Sequence, residues 1–178
     1  MNNRALAFID LETTGLKPTS EIIEMAVIKV DPEKLSIIEE WSIKIKPEDI
    51  KSANPESLRV NGYNEKEWED AVDIRVGLTI FNEKVKDCIL VGHNVAWDLL
   101  WIQNAFQSHG ISKSFYYQAL DTISLAYAKL YHKIKSGEIS FLGLDVLVNY
   151  CGVRWESRHR ALEDARATYQ VFVKLINM

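Results

Sequence analysis

The sequence predicts an α/β fold built on a mixed five-stranded sheet flanked by helices. Two observations predict it. Three strand-like segments joined by short polar turns run up to Lys46, and from Asn64 onward helical stretches alternate with short apolar runs. An antiparallel meander followed by α/β alternation gives a mixed sheet with helices packed on it. No internal repeat and no linker composition interrupts 1–178, so one domain is expected over that span.

The elements follow in order. Ala5 to Leu11 is nearly all apolar, the mark of a strand buried on both faces. Thr13 to Pro18 is a turn, and Ile22 to Val30 a second strand. Trp41, Ile43 and Ile45 alternate with Ser42, Lys44 and Lys46, which gives a third strand with one wet face. Trp68, Val72, Val76, Ile80 and Val85 fall near helical spacing, so Asn64 to Lys86 reads as a helix. Cys88 to Val91 is a short buried strand and Asn94 to Phe106 a helix, with Asn94 as N-cap. Tyr117 to Leu120 is the fifth strand. Helices are expected over Thr122 to Lys133, Leu142 to Tyr150 (closed by Gly152) and Arg160 to Ile176.

Composition narrows the class. The chain has 178 residues, 47% hydrophobic and 26% charged, which suits a globular domain with a full core. Cys88 and Cys151 sit in apolar contexts and read as reduced core residues; no Cys/His pair has zinc spacing. No signal peptide opens the chain, and no apolar run approaches the ~20 residues needed to span a bilayer. A cytoplasmic location without membrane contact is expected. A net charge of −4 argues against coating duplex DNA through a broad basic face. It leaves room for an enzyme that grips a few nucleotides with metal ions as the local positive charge.

The carboxylates carry the chemistry. Asp10 and Glu12 are two apart at the end of the first strand and point to one face. The pair alone could equally be a solvated strand end. Asp98 falls in the first turn of its helix, where an acid complements the dipole, yet it shares a face with Trp101, Ile102 and Ala105. An acid turned inward needs a partner or a metal. Asp164 lies between Ala161 and Ala165 on the apolar face of the last helix. His159 stands five residues earlier. On a continuous helix the two would diverge by about 140°, so they converge only if His159 precedes the helix. Two unit charges ~4 Å apart cost about 4 kcal/mol at an effective dielectric near 20. Four clustered acids therefore call for protons or cations, and oxygen ligands favour Mg²⁺ or Mn²⁺. Two such ions ~3.5–4 Å apart are a standard apparatus for phosphodiester cleavage.

Three segments match a known pattern: Phe8-Ile9-Asp10-Leu11-Glu12-Thr13-Thr14-Gly15-Leu16, Gly92-His93-Asn94-Val95-Ala96-Trp97-Asp98, and His159-Arg160-Ala161-Leu162-Glu163-Asp164-Ala165. In order and spacing the chain resembles the DEDDh 3′–5′ exonucleases, the ribonuclease T / DnaQ-like branch of the ribonuclease H-like superfamily. The resemblance implies a ribonuclease H-like sheet and two Mg²⁺ or Mn²⁺ ions. Asp10, Glu12 and Asp164 would hold the metal that binds the attacking water, Asp10 would bridge to the second metal, and Asp98 would support that one. His159 would be the general base, about three-quarters neutral at pH 7 from its reference pKa near 6.5. The product would be a nucleoside 5′-monophosphate.

The turn Thr13, Thr14, Gly15 and Leu16 would cradle the terminal nucleotide, and Asn94 would join it. Two positions depart from the family pattern. Trp97 stands where phenylalanine is usual and reads as a packing substitution. Asn61, in Val60-Asn61-Gly62-Tyr63, stands where a histidine often lies near substrate, although Asn61-Gly62 also suits a plain turn.

Of the five tryptophans, Trp41 and Trp101 belong to predicted buried faces. Trp155 sits in a loop beside His159 with Arg154, Arg158 and Arg160, so Trp155 and Arg158 are expected to meet a phosphate or stack on a base. The expected substrate is the 3′ end of single-stranded DNA or RNA, with DNA favoured. An oligoribonuclease-like RNA trimmer, another two-metal phosphoesterase and a non-catalytic binding module of the same fold are the rivals. The chain ends at Met178, fourteen residues after Asp164, so no polymerase-binding extension is expected. A polymerase partner, a homodimer and a free-standing enzyme stay open.

Overall fold

The computed structural model describes residues 4–17 and 19–178; Pro18, placed in the first turn by the sequence, lies outside the described residues. Five strands form one sheet in the order β3-β2-β1-β4-β5. They are β1 (Leu6–Thr13), β2 (Ile22–Val30), β3 (Ile37–Lys44), β4 (Ile89–Gly92) and β5 (Ala119–Asp121). β1, β2 and β3 pair antiparallel, while β4 lies parallel to β1 and β5 parallel to β4. The central strands are mostly apolar because both faces of the sheet are covered. On one face Ala7, Ile9, Met25 and Leu90 pack on Leu78, Phe81 and Ile102. On the other, Leu6, Phe8, Ala26 and Ile28 meet Ala161, Ala165 and Phe172.

β1 outruns β4. Their ladder covers only Leu6 to Phe8, paired with Ile89 to Val91. Beyond Phe8 the β4 side of β1 is open, and the register with β2 shifts between Glu12 and Thr13. A crevice beyond the carboxyl ends of parallel strands, where the order reverses, is the usual ligand site of such sheets. A bulge there re-aims the side chains beside it.

The helices are α1 (Pro55–Val60), α2 (Ile74–Lys84), α3 (Val95–Ser108), α4 (Thr122–Lys129), α5 (Tyr131–Lys135), α6 (Leu144–Cys151) and α7 (Ala161–Ile176). The long helix expected over 64–86 is only α2. Val72 instead bridges to Ile45, its N–H and C=O bonded to Lys44 and Lys46, so the sheet edge takes backbone groups that a helix would need. Asp73 then caps α2, and Val76 of the supposed apolar stripe is exposed. The short α1 went unpredicted, although Asn54-Pro55 is a start signal and the Asn54 side chain caps it. The helix expected over 122–133 breaks at Leu130 into α4 and α5.

Trp101 is buried as expected, and Trp41 packs half-buried against the core. Trp97 is no packing substitution in the interior. It is 42% exposed and leans on Trp101, ring centroids 4.7 Å apart. Both cysteines are free thiols, Cys88 buried and Cys151 half-buried. Among the described residues no helix is long and apolar enough to cross a membrane.

Candidate active site

Three elements converge at the open end of β1. Asp10 and Glu12 share the β1 face that α7 covers. Asp164 lies in the first turn of α7, where fully buried Ala161 and Ala165 let the helix come close to the sheet. Asp98 lies in the first turn of α3, directly after β4, and its carboxylate is near the Leu11 backbone N–H. Asp98 and Asp164 are each only 8% exposed.

His159 satisfies the condition set by the sequence. α7 begins at Ala161 with Arg160 at its N-cap, so His159 is on the preceding loop, in the left-handed region at φ 61°. One side-chain ligand atom from each of Glu12, His159 and Asp164 falls within 4.8 Å of the others. Asp10 and Asp98 stand outside that trio, but their charges are felt across the cluster.

The electrostatics follow from this crowding. Burial, then Asp98, Asp164, Glu12 and Glu24, hold the Asp10 carboxyl well above the usual carboxylate range. Burial, then Asp164 and Glu24, push Glu12 up to about 8, with Arg160 pulling the other way. Burial raises Asp98 to about 7. Burial raises Asp164 to about 6 against hydrogen bonds from Trp155 and His159. Burial and the Arg158 charge lower the pKa of His159, which favours the neutral imidazole. Acids that resist ionisation side by side, with a neutral imidazole at their edge, form an oxygen-rich donor set that suits hard divalent cations.

Two groups that the sequence reading missed support the site. Glu24, opposite Glu12 in the β1–β2 ladder, is 3% exposed, and Arg160 donates Nε and Nη2 to its two oxygens at 3.1 and 3.2 Å. The available signal was a lone acid in the run Ile22 to Val30, whose other charged residue is Lys29; an acid in so apolar a strand needs a partner. Asp121, at the end of β5, accepts the N–H groups of Asn94, Val95 and Ile123. It thereby corrects the role of Asn94. That residue holds the N-cap position of α3 at φ 65° with no side-chain cap bond, because Asp121 takes the helix's first donors.

The expected substrate residues fall into different surroundings. The Thr13 to Leu16 turn is tightly tied: Thr14 N–H donates to Glu21 O, the Thr14 hydroxyl accepts the Glu21 N–H, and Thr14 O accepts from Asn54. A Cβ at Gly15 would come within 2.8 Å of Ser20 Oγ, so a larger residue there would have to displace the Ser20 hydroxyl. Leu16 projects from the turn, 72% exposed. Asn61 is 3% exposed and spends its side chain on Thr13 O and the Tyr63 N–H, so it braces the turn from behind. Asn94 borders a cavity of about 560 Å³ shared with His93, Tyr127 and Phe141. Trp155 and Arg158 are paired with each other, and Trp155 also meets Asp164.

A family model described as an exonuclease, RNase_T, matches residues 7–172. The chain belongs to the RNase_T exonuclease family. This RNase_T chain is 33% identical over 175 residues to the PolC-type DNA polymerase III of Thermotoga maritima, covering 96% of the chain and 12% of that protein. It is 30% identical over 168 residues to the Staphylococcus aureus PolC-type polymerase, covering 94% and 11%. The chain thus spans only about an eighth of the length of these curated relatives. Among solved structures, exonuclease I superposes with TM-score 0.81 at 21% identity, over 98% of this chain and 41% of that one. Exonuclease X in complex with 5′-overhanging duplex DNA gives 0.69 at 20%, over 97% and 91%. The sheet order and these superpositions show that the chain shares the fold of exonuclease I.

Proposed function

We propose that the chain removes nucleotides one at a time from the 3′ end of single-stranded nucleic acid, DNA in preference to RNA, releasing nucleoside 5′-monophosphates. The carrying observation is the convergence of Asp10, Glu12, Asp98 and Asp164 beside a neutral His159. These four acids would hold two Mg²⁺ or Mn²⁺ ions, whose charge would relieve the crowding of Asp10 by Asp98, Asp164 and Glu12. The ions, when bound, supply Lewis-acid activation of water and neutralise charge on the scissile phosphate.

The chain's own residues do the rest. His159 accepts a proton from the water that attacks the terminal phosphodiester. The bond to the 3′-oxygen of the penultimate nucleotide breaks, and the terminal nucleotide leaves with its 5′-phosphate. Leu16 and the braced turn before it meet that nucleotide, and Asn94, at the edge of its cavity, joins them. The preference for DNA is supported by the PolC-type relatives, which are DNA polymerases, and by E. coli exonuclease I, whose fold this chain shares and which was solved with dA16.

Oligonucleotides labelled at the 5′ end test the substrate. DNA should shorten in single-nucleotide steps faster than RNA or dinucleotides. Internal fragments would overturn the exonuclease reading, and faster RNA or dinucleotide cleavage would move the enzyme to RNA trimming. The base has its own expected signature. Because the His159 pKa lies below the usual 6.5, the rate should hold down to about pH 6.5 and fall at lower pH as the imidazole protonates. His159→Ala should lose roughly 10²–10⁴ in rate. A flat profile from pH 5.5 to 8 at constant metal occupancy would contradict it.

A further inference from the structure

We infer that Trp155 is a positioning residue, whose indole N–H fixes Asp164 and the loop that carries His159. The inference rests on the metal-dependent reading above. Trp155 Nε1 donates to Asp164 Oδ1 at 2.9 Å, and the backbone N–H of His159 donates to Oδ2 of the same carboxylate at 3.3 Å. One carboxylate thus grips the loop at two points, four residues apart. An ionised carboxylate has about four lone-pair sites. With one on each oxygen given to the loop, the others are free for cations on the Glu12 side.

The ring is held as well. It packs on the cluster of Leu147, Val148 and Val171, and the Arg158 guanidinium lies over it, 4.7 Å from the centroid. This pairing differs from the base-stacking expected of Trp155 and Arg158: the two side chains occupy each other. His159, next in the chain, stays left-handed, a conformation that a non-glycine residue keeps only when its surroundings fix it. The indole anchor is the stronger of the two bonds that fix it, since the His159 contact is at the long end of the range.

Groups that orient metal ligands from behind are typically worth 10–100-fold in metal affinity or activity. Trp155→Phe keeps a ring for Arg158 and the core and removes the N–H. In the full chain it should raise the Mn²⁺ dissociation constant, read by electron paramagnetic resonance, about tenfold. It should also lower kcat about 10–100-fold and leave KM for a single-stranded oligonucleotide within about twofold. A second readout needs no variant: the Trp155 indole ¹⁵N–¹H resonance of the wild type should move on addition of Mg²⁺. Wild-type metal affinity and kcat in Trp155→Phe, or an indole resonance indifferent to Mg²⁺ that the wild type binds, would overturn the inference. A wild type that neither binds Mn²⁺ nor shortens the oligonucleotide would instead overturn the reading on which it rests.

Discussion

Glu12→Gln is expected to lower turnover about a thousandfold, roughly 4 kcal/mol of transition-state stabilisation, while making the metal-free protein more stable at pH 8. The two effects share one cause. The Glu12 carboxyl is pushed up to about 8 by burial and by Asp164 and Glu24. A carboxyl whose folded pKa is raised favours folding below its unfolded value, near 4.5. That contribution is lost as pH rises towards 8. At pH 8 the folded protein carries a strained charge that the neutral amide removes. Each pKa unit is worth about 1.4 kcal/mol, and with the partial exposure of the side chain the gain is about 3 kcal/mol. That corresponds to about 10 °C in melting temperature. At pH 5, where Glu12 is protonated in the folded state, the gain should shrink to a small fraction. The same linkage makes Mn²⁺ stabilise the wild type more at pH 8 than at pH 5. Melting curves at the two pH values, with and without Mn²⁺, decide it. An unchanged or lower melting temperature for metal-free Glu12→Gln at pH 8 would refute the repulsion.

Arg160→Ala is expected to act with the opposite sign. Glu24 is buried beneath the cluster, and Arg160 is its bidentate partner across 136 residues of sequence. Removing one member of a buried pair leaves an uncompensated charge and costs about 3–5 kcal/mol. Arg160 is about a third exposed, so the lower end applies, and the melting temperature should fall by about 10 °C. Arg160 also tempers Glu12 at the start of the helix that carries Asp164, so turnover should fall too. Adding Glu24→Gln to Arg160→Ala should recover part of the lost stability, because the orphaned charge goes with it. If the double variant were less stable than Arg160→Ala by the full cost of Glu24→Gln alone, the two side chains would be uncoupled.

The site was largely legible because its parts follow local rules. Two-residue alternation aimed Asp10 and Glu12 together, helical periodicity turned Asp98 and Asp164 inward, and the divergence of His159 from Asp164 on a continuous helix set a condition, a loop before α7, that the structure meets. The supports were not legible in the same way. The Trp155–Asp164 bond depends on how a loop without periodicity folds back. The Glu24–Arg160 pair joins a strand to a helix start far along the chain. The helix misread over 64–86 failed for a related reason: Val72 satisfies its backbone against Ile45 of a distant segment, and a tertiary bond overrides a local pattern. Asn94 lost its capping role to Asp121 in the same manner.

The most direct test of the acid cluster is the cleavage of a 5′-labelled single-stranded DNA by wild type and by Asp164→Ala, with Mn²⁺ and with excess EDTA. The expected result is a one-nucleotide ladder from wild type with Mn²⁺, and intact substrate in EDTA or with Asp164→Ala. Cleavage that persists in EDTA, or an Asp164→Ala variant that degrades the DNA as fast as wild type, would contradict the assignment of these carboxylates to a metal-dependent nuclease site.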